Sequence, residues 1–138
     1  MGQLTDNINK KNSILLARNN PVALVVGAAS FLGSNLIDKL LDKNIQVIGV
    51  DDLGVGDKRN LRNASENRNF HMIMESAENL DLDLARLDYM FLIPSEEEKL
   101  AKVFELFKET KCRVLLLSSI ELYDKSSSGN RLGWLKEI

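Results

Sequence analysis

Two glycines and one aspartate have the types and the spacing of a site for phosphate and ribose groups. Gly27 and Gly33 flank the point where an apolar run gives way to an amphipathic segment, so a strand would hand over to a helix there. A helix N-terminus presents unpaired backbone N–H groups and partial positive charge, which stabilise a phosphate. Asp51 stands 24 residues after Gly27, close to the roughly 20 residues expected before an acid that binds an adenosine ribose. The spacing predicts a dinucleotide site; the alternative is a tight turn and a solvated carboxylate that bind nothing.

The segments around these residues predict a strand, a helix and a second strand. Val22 to Val26 is a short β-branched run that suits a strand buried on both faces. A helix follows, because four apolar side chains fall on one helical stripe, namely Leu36, Ile37, Leu40 and Leu41. Ile45 to Val50 then returns as an apolar strand. We therefore expect the glycine turn and Asp51 to lie at the ends of neighbouring parallel strands.

Three further apolar runs, at 70–74, 89–93 and 113–118, continue this alternation. Ser95 and Glu98 have the spacing of a capping box and predict the start of a helix before the last run. Strands that alternate with helical connections favour a parallel sheet with helices on both faces. The predicted fold is α/β, a Rossmann-like doubly wound parallel sheet of about five strands in the order 3-2-1-4-5.

The length predicts one domain in three parts. The 138 residues divide into an N-terminal arm at 1–20, a Rossmann domain at 21–125 and a loop-like tail at 126–138. The arm is polar, and its pattern leaves a short helix and a disordered segment as alternatives. It has no long apolar core, so neither a secretory signal nor a membrane span is predicted.

Charge and cysteine content limit the partners. The formal net charge of −2 removes the usual argument for binding nucleic acid or an anionic membrane. Cys112 is the only cysteine, which excludes an intrachain disulfide and a cysteine-rich metal site. We expect no metal, a cytoplasmic location, and small molecules or proteins as partners.

Two stretches resemble the extended short-chain dehydrogenases, in particular the NAD-dependent epimerase/dehydratase group that acts on nucleotide sugars. They are VVGAASFLGSNLIDKLLDKNIQVIGVDDLGVGDKRNL and LLLSSIELYD, and the likeness runs from residue 22 to about 124. The resemblance implies NAD as cofactor and a nucleotide sugar as substrate. It places the cofactor-binding residues at Gly27, Ser30, Phe31, Leu32, Gly33, Asp51, Asp52 and Leu53.

The resemblance also places one catalytic position and shows three departures. Ser119 matches the family's catalytic Ser/Thr, whereas Tyr123 matches a tyrosine that is not the proton donor. Ser30 replaces the middle glycine, and its hydroxyl either donates to the pyrophosphate or weakens binding. YMFLIP replaces a His-Leu-Ala-Ala-like strand end. No Tyr-x-x-x-Lys pair follows Ser119, although the family uses it for proton transfer.

These departures leave two main hypotheses. The first is an NAD-binding module that is catalytically incomplete by itself and is a fragment or is completed by another polypeptide. The second is a degenerate Rossmann domain without a cofactor that serves as an interaction or regulatory protein. A weaker third is a non-redox nucleotide binder. Within the first hypothesis NAD is favoured over NADP, because Asp51 would repel a 2′-phosphate even though Arg59 and Arg62 could reach it. The resemblance also implies that removing the family's later strands and helices would leave apolar surface beside the last strand, which predicts a homo-oligomer or a partner polypeptide.

Overall fold

The computed structural model describes residues 5–7, 15–17, 19–80, 86–93, 101–103, 105, 108 and 111–117. Strands β1 (Thr5–Asn7) and β2 (Leu15–Ala17) pair with each other in antiparallel orientation. These strands lie in the N-terminal arm, so neither a helix nor disorder describes this part of it. Pairing satisfies backbone N–H and C=O groups that an isolated extended segment leaves to water.

Five parallel strands form the central sheet. They are β3 (Val22–Val26), β4 (Gln46–Val50), β5 (Phe70–Ile73), β6 (Tyr89–Leu92) and β7 (Arg113–Leu116). Their spatial order is β5-β4-β3-β6-β7, and all four neighbouring pairs are parallel. Counted within this sheet, the order is 3-2-1-4-5, which confirms the predicted Rossmann-like fold.

Helix α1 (Phe31–Asp42) crosses from the end of β3 to the start of β4. Its buried side chains include Ile37, Leu40 and Leu41, as the apolar stripe predicted. The helix begins at Phe31, five residues before Leu36, the first residue of the predicted apolar stripe, because Ser30 caps it. This extra turn brings the helix N-terminus directly against the glycine turn.

Apolar side chains cover both faces of the middle of the sheet. Val22 and Leu24 belong to the core on one face, and Ala23 and Val25 belong to the core on the α1 face. All four are fully buried, as expected for a strand between two layers. The edge strand β7 differs, because Val114 and Leu115 expose 43% and 51% of their surface.

Short helical segments connect the remaining strands. The β4–β5 connection contains the 3₁₀ helix η1 (Lys58–Leu61) and helix α2 (Arg62–Ser65). The β5–β6 connection contains the 3₁₀ helix η2 (Ala77–Asn79).

The helix predicted before β7 is described in part. Residues 101–103 and 105 are helical, and Val103 is buried in the core. Ser95 and Glu98, the predicted capping pair, lie outside the described residues. In the part of the chain that the structure describes, no helix is long and apolar enough to cross a membrane.

Candidate functional site

Gly27 forms the tight turn at the end of β3. Its φ of +88° lies in the left-handed region, which side chains disfavour. Its N–H donates to the Val50 carbonyl oxygen at 2.9 Å, which joins the turn to β4. A Cβ on Gly27 would lie 2.5 Å from the Ile93 carbonyl oxygen, so a larger residue would push the turn away from the end of β6.

Gly33 allows α1 to lie directly on this turn. A Cβ there would overlap the Gly27 carbonyl oxygen and would lie 2.9 Å from Ser30 Oγ. The two glycines of the sequence pattern therefore have separate uses. One permits the backbone angle, and the other permits the close approach.

Ser30 is the N-cap of α1. Its backbone is extended, with φ −71° and ψ 162°, which any residue adopts without strain. Its Oγ accepts the Gly33 N–H at 2.9 Å and donates to the Gly27 carbonyl oxygen at 2.7 Å. The single hydroxyl proton is thus used inside the turn, and the side chain adds the cap that a glycine at this position lacks.

Phe31 and Leu32 provide two backbone N–H groups at the start of α1 for which the described part of the chain offers no hydrogen-bond acceptor. The amides on either side of this pair are engaged, since Ser30 N–H donates to the Gly27 carbonyl oxygen and Gly33 N–H donates to Ser30 Oγ. The side chains of Phe31 and Leu32 are exposed by 80% and 48%. The first turn of α1 contains no acidic residue that would neutralise its positive end.

Asp51 links the end of β4 to the glycine turn. Its Oδ2 accepts the Ala29 N–H at 2.9 Å, and its Oδ1 accepts the Leu53 N–H at 2.7 Å. The carboxylate is half-buried, so its position is fixed while part of it faces solvent. Each carboxylate oxygen can accept more than one hydrogen bond, which leaves acceptor capacity for sugar hydroxyls.

Asp52 and Leu53 turn in different directions after β4. Asp52 is exposed, and its Oδ1 accepts the Gly54 N–H at 2.9 Å. Leu53 has a φ of 62° and packs, half-buried, against the core on the α1 face. Asp52 lines the cleft at the ends of the strands. Leu53 is not among the described residues that line this cleft.

A cleft with a cavity volume of about 100 Å³ lies at the carboxyl ends of the parallel strands. This is the edge where open α/β sheets bind ligands. The described lining combines apolar walls with carboxylates: Val26, Gly27, Ser30, Val50, Asp51, Asp52, Val55, Gly56, Glu75, Ala77, Glu78, Leu92, Ile93 and Val103.

The cleft brings together Gly27, Ser30, Asp51 and Asp52 from the predicted set. Sequence reasoning missed Glu75 and the other lining residues of the β4 and β5 connections. These residues follow the carboxyl ends of β4 and β5. Because ligands bind at the carboxyl ends of parallel strands, the predicted strand ends could have identified them. Ser119, the predicted catalytic position, lies outside the described residues.

Arg59 is paired with Asp57 in the loop that follows β4. Its Nη2 lies 2.7 Å from Asp57 Oδ2, and its backbone N–H also donates to Asp57 Oδ1 at 2.9 Å. These hydrogen bonds from Arg59 lower the pKa of Asp57 from 3.8 to about 2. Among the residues that the structure describes, no group of three or more His, Cys, Asp or Glu side chains could hold a metal ion.

Comparison with known proteins agrees with the resemblance found in the residues. A sequence model of the NAD dependent epimerase/dehydratase family matches residues 23–132. A UDP-glucose 4-epimerase of Mycolicibacterium smegmatis is 42% identical over 64 residues, which are 46% of this chain and 20% of that protein. UDP-glucuronic acid decarboxylase 4 of Arabidopsis thaliana is 42% identical over 50 residues, 36% of this chain and 11% of that protein. The matches therefore span a fifth or less of the length of these two relatives.

Solved structures share the fold at lower sequence identity. The Bordetella bronchiseptica enzyme WbmF, in complex with NAD+ and UDP, aligns with a TM-score of 0.56 at 24% identity. The alignment covers 73% of this chain and 36% of WbmF. A UDP-glucose 4-epimerase from Thermotoga maritima, with UDP-glucose, aligns with a TM-score of 0.54 at 23% identity, over 69% of this chain and 37% of that chain.

Proposed function

The chain belongs to the NAD dependent epimerase/dehydratase family, whose sequence model covers residues 23–132, and from this premise we propose that its glycine turn and Asp51 bind NAD. The observation that carries the proposal is the pair of amides at Phe31 and Leu32, which lack an acceptor in the described structure at the positive end of α1. A pyrophosphate at this position accepts both hydrogen bonds and is stabilised by the helix dipole. NAD is the cofactor of the family.

The residues present fit the adenosine half of NAD. Asp51 is held at the end of β4 by the Ala29 and Leu53 amides, so its carboxylate is oriented before a ribose arrives. Val26, Val50 and Leu92 supply apolar walls in the cleft beside it. A cavity of about 100 Å³ is smaller than the roughly 300 Å³ of a site that encloses a drug-sized ligand. The cleft therefore takes one end of the dinucleotide, and the rest extends across the exposed start of α1.

NAD is favoured over NADP by charge. A 2′-phosphate on the ribose would place negative charge against Asp51. Arg59, which could have offset this repulsion, already donates through Nε and Nη2 to Asp57. The charge of Arg59 is therefore already partly offset by Asp57, which weakens its attraction for a 2′-phosphate.

The test is titration of the full chain with NAD, NADH and NADP by calorimetry. We expect saturable binding of NAD that Asp51→Asn weakens by at least about tenfold, because a carboxylate hydrogen bond is worth about 1.5–3 kcal/mol. Asp38→Asn, on the α1 surface away from the cleft, is the matched control and leaves the affinity unchanged. The absence of a heat signal with millimolar NAD would overturn the proposal, and equal affinity for NADP would overturn the charge argument.

The chemistry is proposed to need residues beyond those that bind the cofactor. Bound NAD supplies a hydride acceptor, and the proton must be handled by side chains. The only tyrosines are Tyr89 and Tyr123, and Ile93 and Ser127 stand four residues beyond them, so these 138 residues contain no Tyr-x-x-x-Lys pair. We expect no epimerase or dehydratase turnover of UDP-sugars by the chain in isolation, and measured turnover would contradict this.

The substrate class and the assembly are also proposals. The named relatives act on UDP-glucose and UDP-glucuronic acid, which supports a nucleotide sugar as the second ligand. Exposed Val114 and Leu115 on the edge strand β7 support association with a second copy or another polypeptide. Light scattering across concentration tests this, and a monomer at every concentration would count against self-association. A cytoplasmic location stays a prediction from the single cysteine.

A further inference from the structure

The loop from Asp51 to Asn60 holds Ala29, the buried third residue of the glycine turn, from both sides. The Ala29 carbonyl oxygen accepts the Asp57 N–H at 3.0 Å and Asn60 Nδ2 at 2.9 Å. The Ala29 N–H donates to Asp51 Oδ2 at 2.9 Å. Ala29 is fully buried, so its two backbone polar groups depend on these partners. The turn and the loop are therefore joined at one residue.

Gly56 sets how closely the loop approaches that residue. A Cβ at Gly56 would lie 2.8 Å from Ala29 Cβ, 2.9 Å from the Ala29 carbonyl carbon and 2.9 Å from Asp51 Oδ2. Two of these atoms are on a short, buried residue that cannot rotate away. Any side chain at position 56 must therefore move the loop off the turn or displace the Asp51 carboxylate.

Gly54, two residues earlier in the same loop, makes no such approach. A Cβ there would have its nearest contact at 3.2 Å, with Oδ1 of Asp52. Asp52 is exposed, so the end of its side chain can shift by the few tenths of an ångström that this contact requires. The same glycine-to-alanine change therefore has different consequences at two positions in one loop.

We infer that Gly56 is a positioning residue, which acts through Ala29 and Asp51 to fix the distance between the ribose-binding carboxylate and the N–H groups of Phe31 and Leu32. The inference rests on the proposed binding of NAD. A dinucleotide must contact the carboxylate and the helix start at the same time, so its affinity depends on their spacing as well as on each group.

The experiment is calorimetric titration of the 138-residue chain with NAD. Gly56→Ala weakens binding by about tenfold or more, because the methyl group cannot be accommodated without a shift. Gly54→Ala stays within about twofold of the unaltered chain. Asn60→Ala, which removes only the side-chain hydrogen bond to Ala29, weakens binding by about threefold.

A double-mutant cycle with Asp51→Asn separates positioning from a general loss of structure. If Gly56 acts through Asp51, Gly56→Ala costs less than about twofold further in the Asp51→Asn background. Full additivity of the two changes would show that Gly56 affects the fold and not the carboxylate, and would overturn the inference. Urea unfolding of each variant establishes that the titrated protein is folded.

The outcomes separate this inference from the proposed function. An unaltered chain that fails to bind NAD overturns the proposed function and this inference with it. An unaltered chain that binds NAD while Gly56→Ala and Gly54→Ala bind it equally well overturns only the positioning by Gly56. If Gly56→Ala does not fold, Asn60→Ala decides, and an unchanged affinity in that variant overturns the inference.

Discussion

Replacing Phe31 by proline removes one of the two N–H groups at the start of α1 without disturbing the helix. Phe31 is the first residue of α1, which is the helical position that accepts proline best. The residue before a proline must be extended, and Ser30 already has φ −71° and ψ 162°. The Phe31 side chain is 80% exposed, so its loss leaves no cavity in the core.

The expected effect is a loss of NAD affinity at nearly constant stability. A hydrogen bond from an amide to a charged phosphate oxygen is worth about 1.5–3 kcal/mol, so Phe31→Pro raises the dissociation constant roughly 10- to 150-fold. The free energy of unfolding stays within about 1 kcal/mol, because this N–H has no partner in the described structure and proline restricts the unfolded chain.

Phe31→Ala is the matched control. It removes the same aromatic ring and keeps the N–H, so any contribution of the ring appears in both variants. Calorimetry at one fixed ionic strength gives the two dissociation constants, and urea unfolding gives the two stabilities. Equal dissociation constants for Phe31→Pro and Phe31→Ala would refute the reasoning, because they would show that this N–H does not contact the cofactor.

Three further changes test the turn and the sheet edge by urea unfolding. Ser30→Ala removes the N-cap of α1 and lowers the free energy of unfolding by about 1 kcal/mol; an unchanged midpoint would contradict the capping bond. Gly33→Ala costs about 3 kcal/mol, since its Cβ overlaps the Gly27 carbonyl oxygen, and a loss under about 1 kcal/mol would show that the turn relaxes freely. Burial lowers the pKa of His71 below 6.5, so the unfolded chain binds more protons and stability falls as the pH drops through that value. His71→Gln should flatten the dependence of the free energy of unfolding on pH. The same dependence in the variant would show that other titratable groups cause it.

The sequence predicted the order of the sheet because each strand is a separate apolar run between helical connections. The strand ends were less well predicted. The predicted third strand reached Met74, whereas β5 ends at Ile73, where the pairing with Val50 stops. Apolar character continues past that point, so hydropathy alone does not locate the last hydrogen bond.

The N-terminal arm shows a different limit. The strands β1 and β2 are three residues each, too short for a period of two to be recognised. Their existence depends on pairing between two short segments that do not adjoin along the chain. The local sequence pattern of the arm therefore did not predict this pair of strands, and it left a helix and disorder as the alternatives.

The site divides in the same way. The spacing of Gly27 and Gly33 predicted a tight turn between a strand and a helix, and the structure has such a turn there. Gly27 has a positive φ, and Gly33 lies too close to the turn for a side chain. Leu53 was included with Asp51 by its place in the loop, yet its side chain packs against the core on the α1 face. Glu75 reaches the cleft only because parallel register brings the end of β5 beside that of β4. Side-chain direction and strand register are properties of the folded chain.

The acidic lining of the cleft has a consequence for the effect of salt on binding. Of the described lining residues, Asp51, Asp52, Glu75 and Glu78 are carboxylates and none carries a positive charge, although Lys102 lies 3.4 Å from Glu78. A pyrophosphate approaches against this charge, and the repulsion is screened as the Debye length falls from about 10 Å at 0.1 M to about 3 Å at 1 M. If NAD binds here as proposed, we expect added salt to weaken its binding less than it weakens binding to a basic phosphate-binding surface. We therefore expect the proposed pyrophosphate site to select its ligand by shape and by directed hydrogen bonds at the start of α1, and not by a surface of basic side chains.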